Sequence, residues 1–101
     1  MLLDRHLLDN STVVASQNQI SSDLVDETVI LNLKSGVYHG LNQVGTTVWK
    51  LIQQPRNFEE IRDAVLTEYE VSVEECDRDL RQLLEDLAAQ DLVEVKTTAS
   101  V

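Results

Sequence analysis

Any chemistry in this chain would have to come from two histidines, one cysteine and a set of paired acids. His6 and His39 are its imidazoles and Cys76 is its thiol. A general base needs an oriented partner, and the sequence points to none for either histidine. His39 lies inside the strand-like run VYHGL and reads as a structural or groove-lining residue. Cys76 falls on an apolar helical stripe, where a thiol behaves as a small hydrophobe. The neighbouring Glu74, Glu75 and Asp77 would raise its pKa, opposite to what a nucleophile needs. The paired acids Asp26/Glu27, Glu59/Glu60, Glu74/Glu75 and Glu85/Asp86 read as turns, helix caps and solvated faces, without the glycine of a calcium loop. There is no Cys/His cluster with zinc spacing and no glycine-rich phosphate loop. These residues point away from catalysis and toward a binding surface. No cofactor is expected.

The charge balance narrows the partners. Eighteen acidic residues stand against 8 basic ones, a net charge of −10. Such a field repels phosphate backbones, so a nucleic-acid partner is not expected. The opening MLLDRHLLDN is broken by Asp4, Arg5, His6 and Asp9, so it lacks the uninterrupted apolar core of a signal peptide. No apolar run approaches the roughly 18–20 residues that span a bilayer. A cytoplasmic protein with no membrane contact is the expectation. At 101 residues the chain makes one domain, and with 4% aromatic residues its core must be mostly aliphatic.

The elements that position these residues divide near Asn42. Before it, 13–17 is a weak strand signal and 28–33 a stronger one, with Val29, Leu31 and Leu33 at period two. Lys34-Ser35-Gly36 reads as a three-residue hairpin turn with Gly36 left-handed. The return strand is 37–41. Pairing Leu33 with Val37 sets Leu31 opposite His39 and Val29 opposite Leu41. One face then carries Val29, Leu31, Leu33, Val37 and Leu41, the other Ile30 and Tyr38.

After Asn42, itself a good N-cap, Val44, Val48, Leu51 and Ile52 form the stripe of a first helix that Pro55 ends. Asn57 and Glu60 open a second helix with Phe58, Ile61, Val65 and Tyr69 on one face. Ser72 and Glu75 open a third, with Val73, Cys76, Leu80, Leu83, Leu84 and Leu87 as its stripe, running to about Gln90. Residues 92–95 are a possible final strand. The expected fold is α+β, a three-stranded antiparallel sheet followed by three helices. A short sheet ending in strand 37–41 would leave a row of unpaired backbone groups, the requirement for strand addition by a peptide. Other strand orders would cover that edge, and pattern alone leaves both open.

The stretch DETVILNLKSGVYHGLNQVGTTVWKLI resembles the PqqD family. The resemblance rests on Gly36, Tyr38, Gly40, Leu41, Asn42, Val44, Gly45, Val48 and Trp49, and more weakly on Asp79, Leu80, Leu83, Leu84 and Leu87 of the last helix. It covers roughly 13–95 and implies a winged-helix-like domain there, flanked by a flexible arm at 1–12 and a tail at 96–101. It departs from the family at Asp91, where a glycine is usual. The resemblance implies a non-catalytic recognition element that takes the leader of a ribosomally synthesised precursor peptide as an added strand. Val37, Tyr38, His39, Gly40 and Leu41 would supply the edge, and Asp79, Leu80, Leu83 and Asp86 would flank the groove. The implied partners are the precursor peptide and a maturation enzyme, such as a leader peptidase and cyclase of the lasso-peptide type. A chaperone serving a radical-SAM enzyme in quinone-cofactor synthesis is the alternative. From other classes, a winged-helix DNA-binding regulator would need a basic recognition helix, and a small enzyme subunit would need a catalytic constellation.

Overall fold

Six strands and three helices are built from residues 11–97, the residues that the computed structural model describes. In chain order they are β1 (Ser11–Ala15), β2 (Gln19–Leu24), β3 (Glu27–Asn32), β4 (Tyr38–Leu41), α1 (Gln43–Leu51), β5 (Arg56–Asn57), α2 (Phe58–Glu68), α3 (Val73–Ala89) and β6 (Val93–Thr97). The α+β class and the three helices agree with the sequence reading. The single sheet ahead of the helices does not. The strands form two three-stranded antiparallel sheets, ordered β5-β1-β6 and β2-β3-β4. β1 therefore pairs with the C-terminal β6, Ser11 opposite Thr97 and Ala15 opposite Val93. It begins and ends two residues before the expected 13–17. The expected arm, apart from Ser11 and Thr12, lies outside the described residues, as does the tail beyond Thr97.

The hairpin register differs by one residue from the expectation. Leu31 faces Tyr38, Ile30 faces His39, Val29 faces Gly40 and Thr28 faces Leu41. A one-residue slip turns every side chain of a strand to the other face. Thr28, Ile30 and Asn32 are buried, and Leu33 and Val37, expected inside, are 53% and 49% exposed. The cause is Asn32. Its Oδ1 accepts from the Lys34 N–H (2.9 Å) and the Ser35 N–H (3.2 Å), and the Gly36 N–H returns to the Asn32 carbonyl (2.8 Å). Gly36 is left-handed, φ 73°, as expected. The loop thus holds four residues, Leu33 to Gly36, instead of three. Thr28 and Asn32 are polar yet inside because both hold hydrogen-bond partners there, Thr28 donating to Asp23 Oδ1 at 3.2 Å.

The helices follow their caps. The side chains of Asn42, Asn57 and Ser72 accept from the amides of Gly45, Glu60 and Glu75, which would otherwise be unpaired in the first turns. Glu60 closes the capping box on the Asn57 N–H at 3.1 Å. α1 stops at Ile52, three residues ahead of Pro55. α3 ends in a Schellman motif, with Leu92 N–H on Leu87 O (2.9 Å) and Asp91 N–H on Ala88 O (3.0 Å). Asp91 takes the left-handed position at φ 58° that glycine usually fills. The core joins Val13, Ile30, Val48, Trp49, Ile52, Ile61, Leu84 and Leu92 from both sheets and all three helices. Val73, assigned to the α3 stripe, is 56% exposed, because the first turn of α3 overhangs the core.

Candidate functional site

The ladder phase decides what β4 offers outward. The Asn32 N–H donates to the Val37 carbonyl at 2.9 Å. In an antiparallel pair, hydrogen-bonded and non-hydrogen-bonded positions alternate. His39 and Leu41 therefore turn their backbone groups to Ile30 and Thr28, and Tyr38 and Gly40 turn theirs away. β4 is the last strand in the order β2-β3-β4, so these groups of Tyr38 and Gly40 meet no strand among the described residues. The slip changed the partners of His39 and Tyr38 but not this outward pairing of Tyr38 with Gly40.

Beside the end of β4, α1, α2 and α3 enclose a pocket of about 240 Å³. Val44, Gly45, Val65, Leu80 and Leu83 make its apolar wall, and Asn42 and Asp79 add polar atoms. Tyr69 closes one side. Its hydroxyl donates to the Gln43 carbonyl (3.2 Å) and lies 2.8 Å from Thr47 Oγ1, which ties the end of α2 to the start of α1. Cys76 also lines the pocket. Burial raises its thiol pKa, Arg62 opposes this, and Asp77 and Asp79 reinforce it. The thiol stays protonated and non-nucleophilic at neutral pH.

The outer side of α3 is held by ion pairs. Arg81 donates from Nε to Asp77 Oδ1 at 2.6 Å and from Nη2 to Asp77 Oδ2 at 3.3 Å, and its guanidinium lies 4.2 Å from the centroid of the Phe58 ring. Arg62 of α2 reaches the same Asp77 at 3.7 Å. This bracket sets the angle of α3 against α2, and with it the pocket wall that Leu80 and Leu83 form.

The sequence-derived site residues divide by element. Tyr38, His39, Gly40 and Leu41 make up β4, and Val37 precedes it in the loop end. Tyr38 is 68% exposed and Leu41 is 8% exposed, so Leu41 contributes to the core and Tyr38 to the surface. Among the described residues the buried Nε2 atom of His39 has no hydrogen-bond partner, so none of their side chains orients it for proton transfer. Asp79, Leu80 and Leu83 meet at the pocket. Asp86 lies two turns further along α3, where it accepts from Gln82 Nε2 at 2.9 Å, and it is not part of the pocket. His6 lies outside the described residues.

Sequence reasoning missed Tyr69, Val65 and Val44 as pocket residues. All three stood on recognised apolar stripes, but their meeting depends on how the helices pack. It also missed the outer face of the β2-β3-β4 sheet. Ile20, Leu31 and Tyr38 form one row across it and Ser22, Val29 and Gly40 the next. Ile20 and Leu24 are 60% and 54% exposed. Among the described residues no group of three or more His, Cys, Asp or Glu could hold a metal ion, and no helix is long and apolar enough to cross a membrane.

Comparison with known proteins falls on this same region. No curated protein matches the chain. A solved structure described as "TbiB1 in Complex with the TbiA(beta) Leader Peptide" is similar to it at 40% identity and a TM-score of 0.75. The alignment covers 80% of this chain and 94% of that one. The family model described as "Coenzyme PQQ synthesis protein D (PqqD)" matches residues 27–93, which takes in the β3–β4 hairpin, the pocket and all three helices. Two-thirds of the chain thus follows one family pattern through every element of the site, and the chain belongs to the PqqD family.

Proposed function

We propose that this chain binds the leader region of a ribosomally synthesised precursor peptide as an added strand on β4 and presents it to maturation enzymes, without catalysing a step itself. The observation that carries this is the open edge of β4. Tyr38 and Gly40 offer backbone donors and acceptors there, next to an apolar pocket on α3. Main-chain pairing supplies affinity in strand addition, and side-chain pockets supply selectivity. Val37 to Leu41 form the edge. Asp79, Leu80 and Leu83 line the anchor pocket, and Asp86 flanks the same helix further along. The similar TbiB1 structure, which its description pairs with a leader peptide, supports the reading.

The partner enzyme is a leader peptidase, with a cyclase, of the lasso-peptide type. The exposed apolar row on the outer sheet face gives such an enzyme a surface beside the bound leader. Service to a radical-SAM enzyme in quinone-cofactor synthesis is the second reading, favoured by the description of the family model. DNA binding has no support. α3 carries Glu74, Glu75, Asp77, Asp79, Glu85 and Asp86 against Arg78 and Arg81, and Arg81 is held by Asp77.

The test is fluorescence anisotropy with a labelled TbiA(beta) leader peptide, alongside mass spectrometry of the peptide after incubation. Micromolar or tighter binding with no change in peptide mass is the expected result. Absence of binding, or tight and steeply salt-dependent binding of duplex DNA, overturns the reading. Co-purification with a leader peptidase or with a radical-SAM enzyme separates the two partner readings.

A further inference from the structure

Strand β2 lies at the opposite edge of its sheet from β4 and meets no strand on its far side among the described residues. Its residues from Ile20 to Leu24 are all exposed, so neither of its faces is covered there. Proteins blunt such an edge with lysine, proline or a bulge. β2, QISSDL, has neither residue, and its ladder with β3 runs unbroken from Gln19↔Asn32 to Leu24↔Glu27. Six residues of edge are thus open to pairing.

The ladder phase fixes which of them can pair. The Leu33 N–H donates to the Asn18 carbonyl at 3.0 Å. Counting on by twos, Ile20, Ser22 and Leu24 turn their backbone groups to β3, and Gln19, Ser21 and Asp23 turn theirs to the open edge. An added antiparallel strand bonds to these three residues and can slide only in steps of two.

Side chains then select the partner and the register. Opposed residues of an antiparallel pair share a face and touch. With a second β2 laid antiparallel and Ser22 on the two-fold axis, Ile20 stands opposite the second copy's Leu24, and Leu24 opposite its Ile20. These two residues are 60% and 54% exposed in the single chain. On the other face each Asp23 carboxylate stands opposite a Ser21 hydroxyl, and no acid meets an acid. Centring on Ser21 would set Ile20 against Ser22 and lose both apolar pairs. Centring on Asp23 would oppose two carboxylates. The strand is its own complement, as an isologous interface requires.

From this we propose that two copies of this chain associate through β2 about a two-fold axis at Ser22, joining their β2-β3-β4 sheets into one sheet of six strands. The association does not depend on the leader reading, because both β4 edges stay open at the ends of the joined sheet. Two short strands bury less than about 1,200 Å², the range of weak and transient interfaces. Each chain also carries a net charge of −10, so added salt strengthens the dimer by screening.

The test uses the full chain. Analytical ultracentrifugation up to roughly millimolar protein should show a monomer–dimer equilibrium, tightening severalfold between roughly 0.05 and 0.5 M salt. Ser21→Pro removes an outward N–H and sets a ring on the edge. It should weaken association by about tenfold or more and leave the melting temperature of the dilute protein near wild type. Ser22→Cys places two thiols on the axis in a non-hydrogen-bonded pair, with Cα atoms about 4.5 Å apart, within disulfide range. Oxidised glutathione should convert this variant to a covalent dimer. Ser21→Cys, out of step with its symmetry mate, should remain monomeric on denaturing gels, as should wild type, whose Cys76 is buried. If Ser21→Pro does not fold, the two cysteine variants decide. A wild-type protein that stays monomeric over this range overturns the proposal, as does cross-linking through Ser21→Cys in place of Ser22→Cys, or association unchanged in folded Ser21→Pro.

Discussion

The Nδ2 of Asn32 donates to the Gln90 carbonyl at 2.6 Å and joins the end of β3 to the end of α3, 58 residues along the chain. The same amide's oxygen organises the loop that leads into β4. One side chain thus sets both the hairpin register and the distance between the edge strand and the helix opposite.

Asn32→Ala should therefore cost about 2–3 kcal/mol, since it leaves two loop amides and a helix-end carbonyl without their partner. Asn32→Asp keeps the acceptor, loses the donor and sets a carboxylate against the Gln90 carbonyl, so it should be at least as damaging. Urea denaturation followed by Trp49 fluorescence measures both. Wild-type stability in either variant would show that the register is set elsewhere.

A proline scan of β4 should separate inward from outward positions. Tyr38→Pro and Gly40→Pro remove N–H groups that face the open edge, so these variants should stay folded and lose about 1–2 kcal/mol of leader affinity. His39→Pro removes a donor to Ile30 and should lower the melting temperature. Folded Tyr38 and Gly40 variants that bind like wild type would mean that the peptide does not add to β4.

Neighbouring leucines on α3 should respond differently to truncation. Leu84 is fully buried, and Leu84→Ala should cost about 3–5 kcal/mol. Leu83 is partly buried and lines the pocket, so Leu83→Ala should cost about 1–2 kcal/mol and weaken leader binding. The pair of measurements is a melting curve and an anisotropy titration for each variant. Equal stability losses with unchanged binding would place Leu83 in the core and not in the site.

Asp91→Gly should stabilise the protein by about 0.5–1 kcal/mol, because glycine occupies the left-handed position without a Cβ penalty. The motif's hydrogen bonds come from the backbone and remain. A lower melting temperature would mean that the Asp91 side chain contributes more than its conformation costs.

The helices were legible because their signals are local. Each N-cap side chain sits three residues before the amide it accepts from, and each apolar stripe repeats within one element. The strands were less so. β2, QISSDL, has no buried position, and backbone pairing with β3 supports it, so it left no hydrophobic signal to read. β5 has two residues and exists through its pairing with β1. The parity of β3 was misread because Val29, Leu31 and Leu33 are the apolar set while the buried set is Thr28, Ile30 and Asn32. Only the partners of Thr28 and Asn32 make that choice favourable, and those partners lie in the folded structure. For the site, the outward turn of Tyr38 and Gly40 was legible because it depends on alternation along β4. The pocket depends on three helix packings and was seen only on its α3 side.

The pairing of β1 with β6 imposes an order in time. The β2-β3-β4 meander closes short loops, and its β4 edge can form once residue 41 has been made. β1 is synthesised before that meander, yet its long partner is the last described strand, so until then only the two residues of β5 can pair with it. A synthesis interrupted before β6 would carry a formed hairpin and a first strand with one edge open, a combination prone to pairing with other chains and to proteolysis. The completed β6 is thus the step that closes the open edge of β1 and ties the two ends of the described domain together.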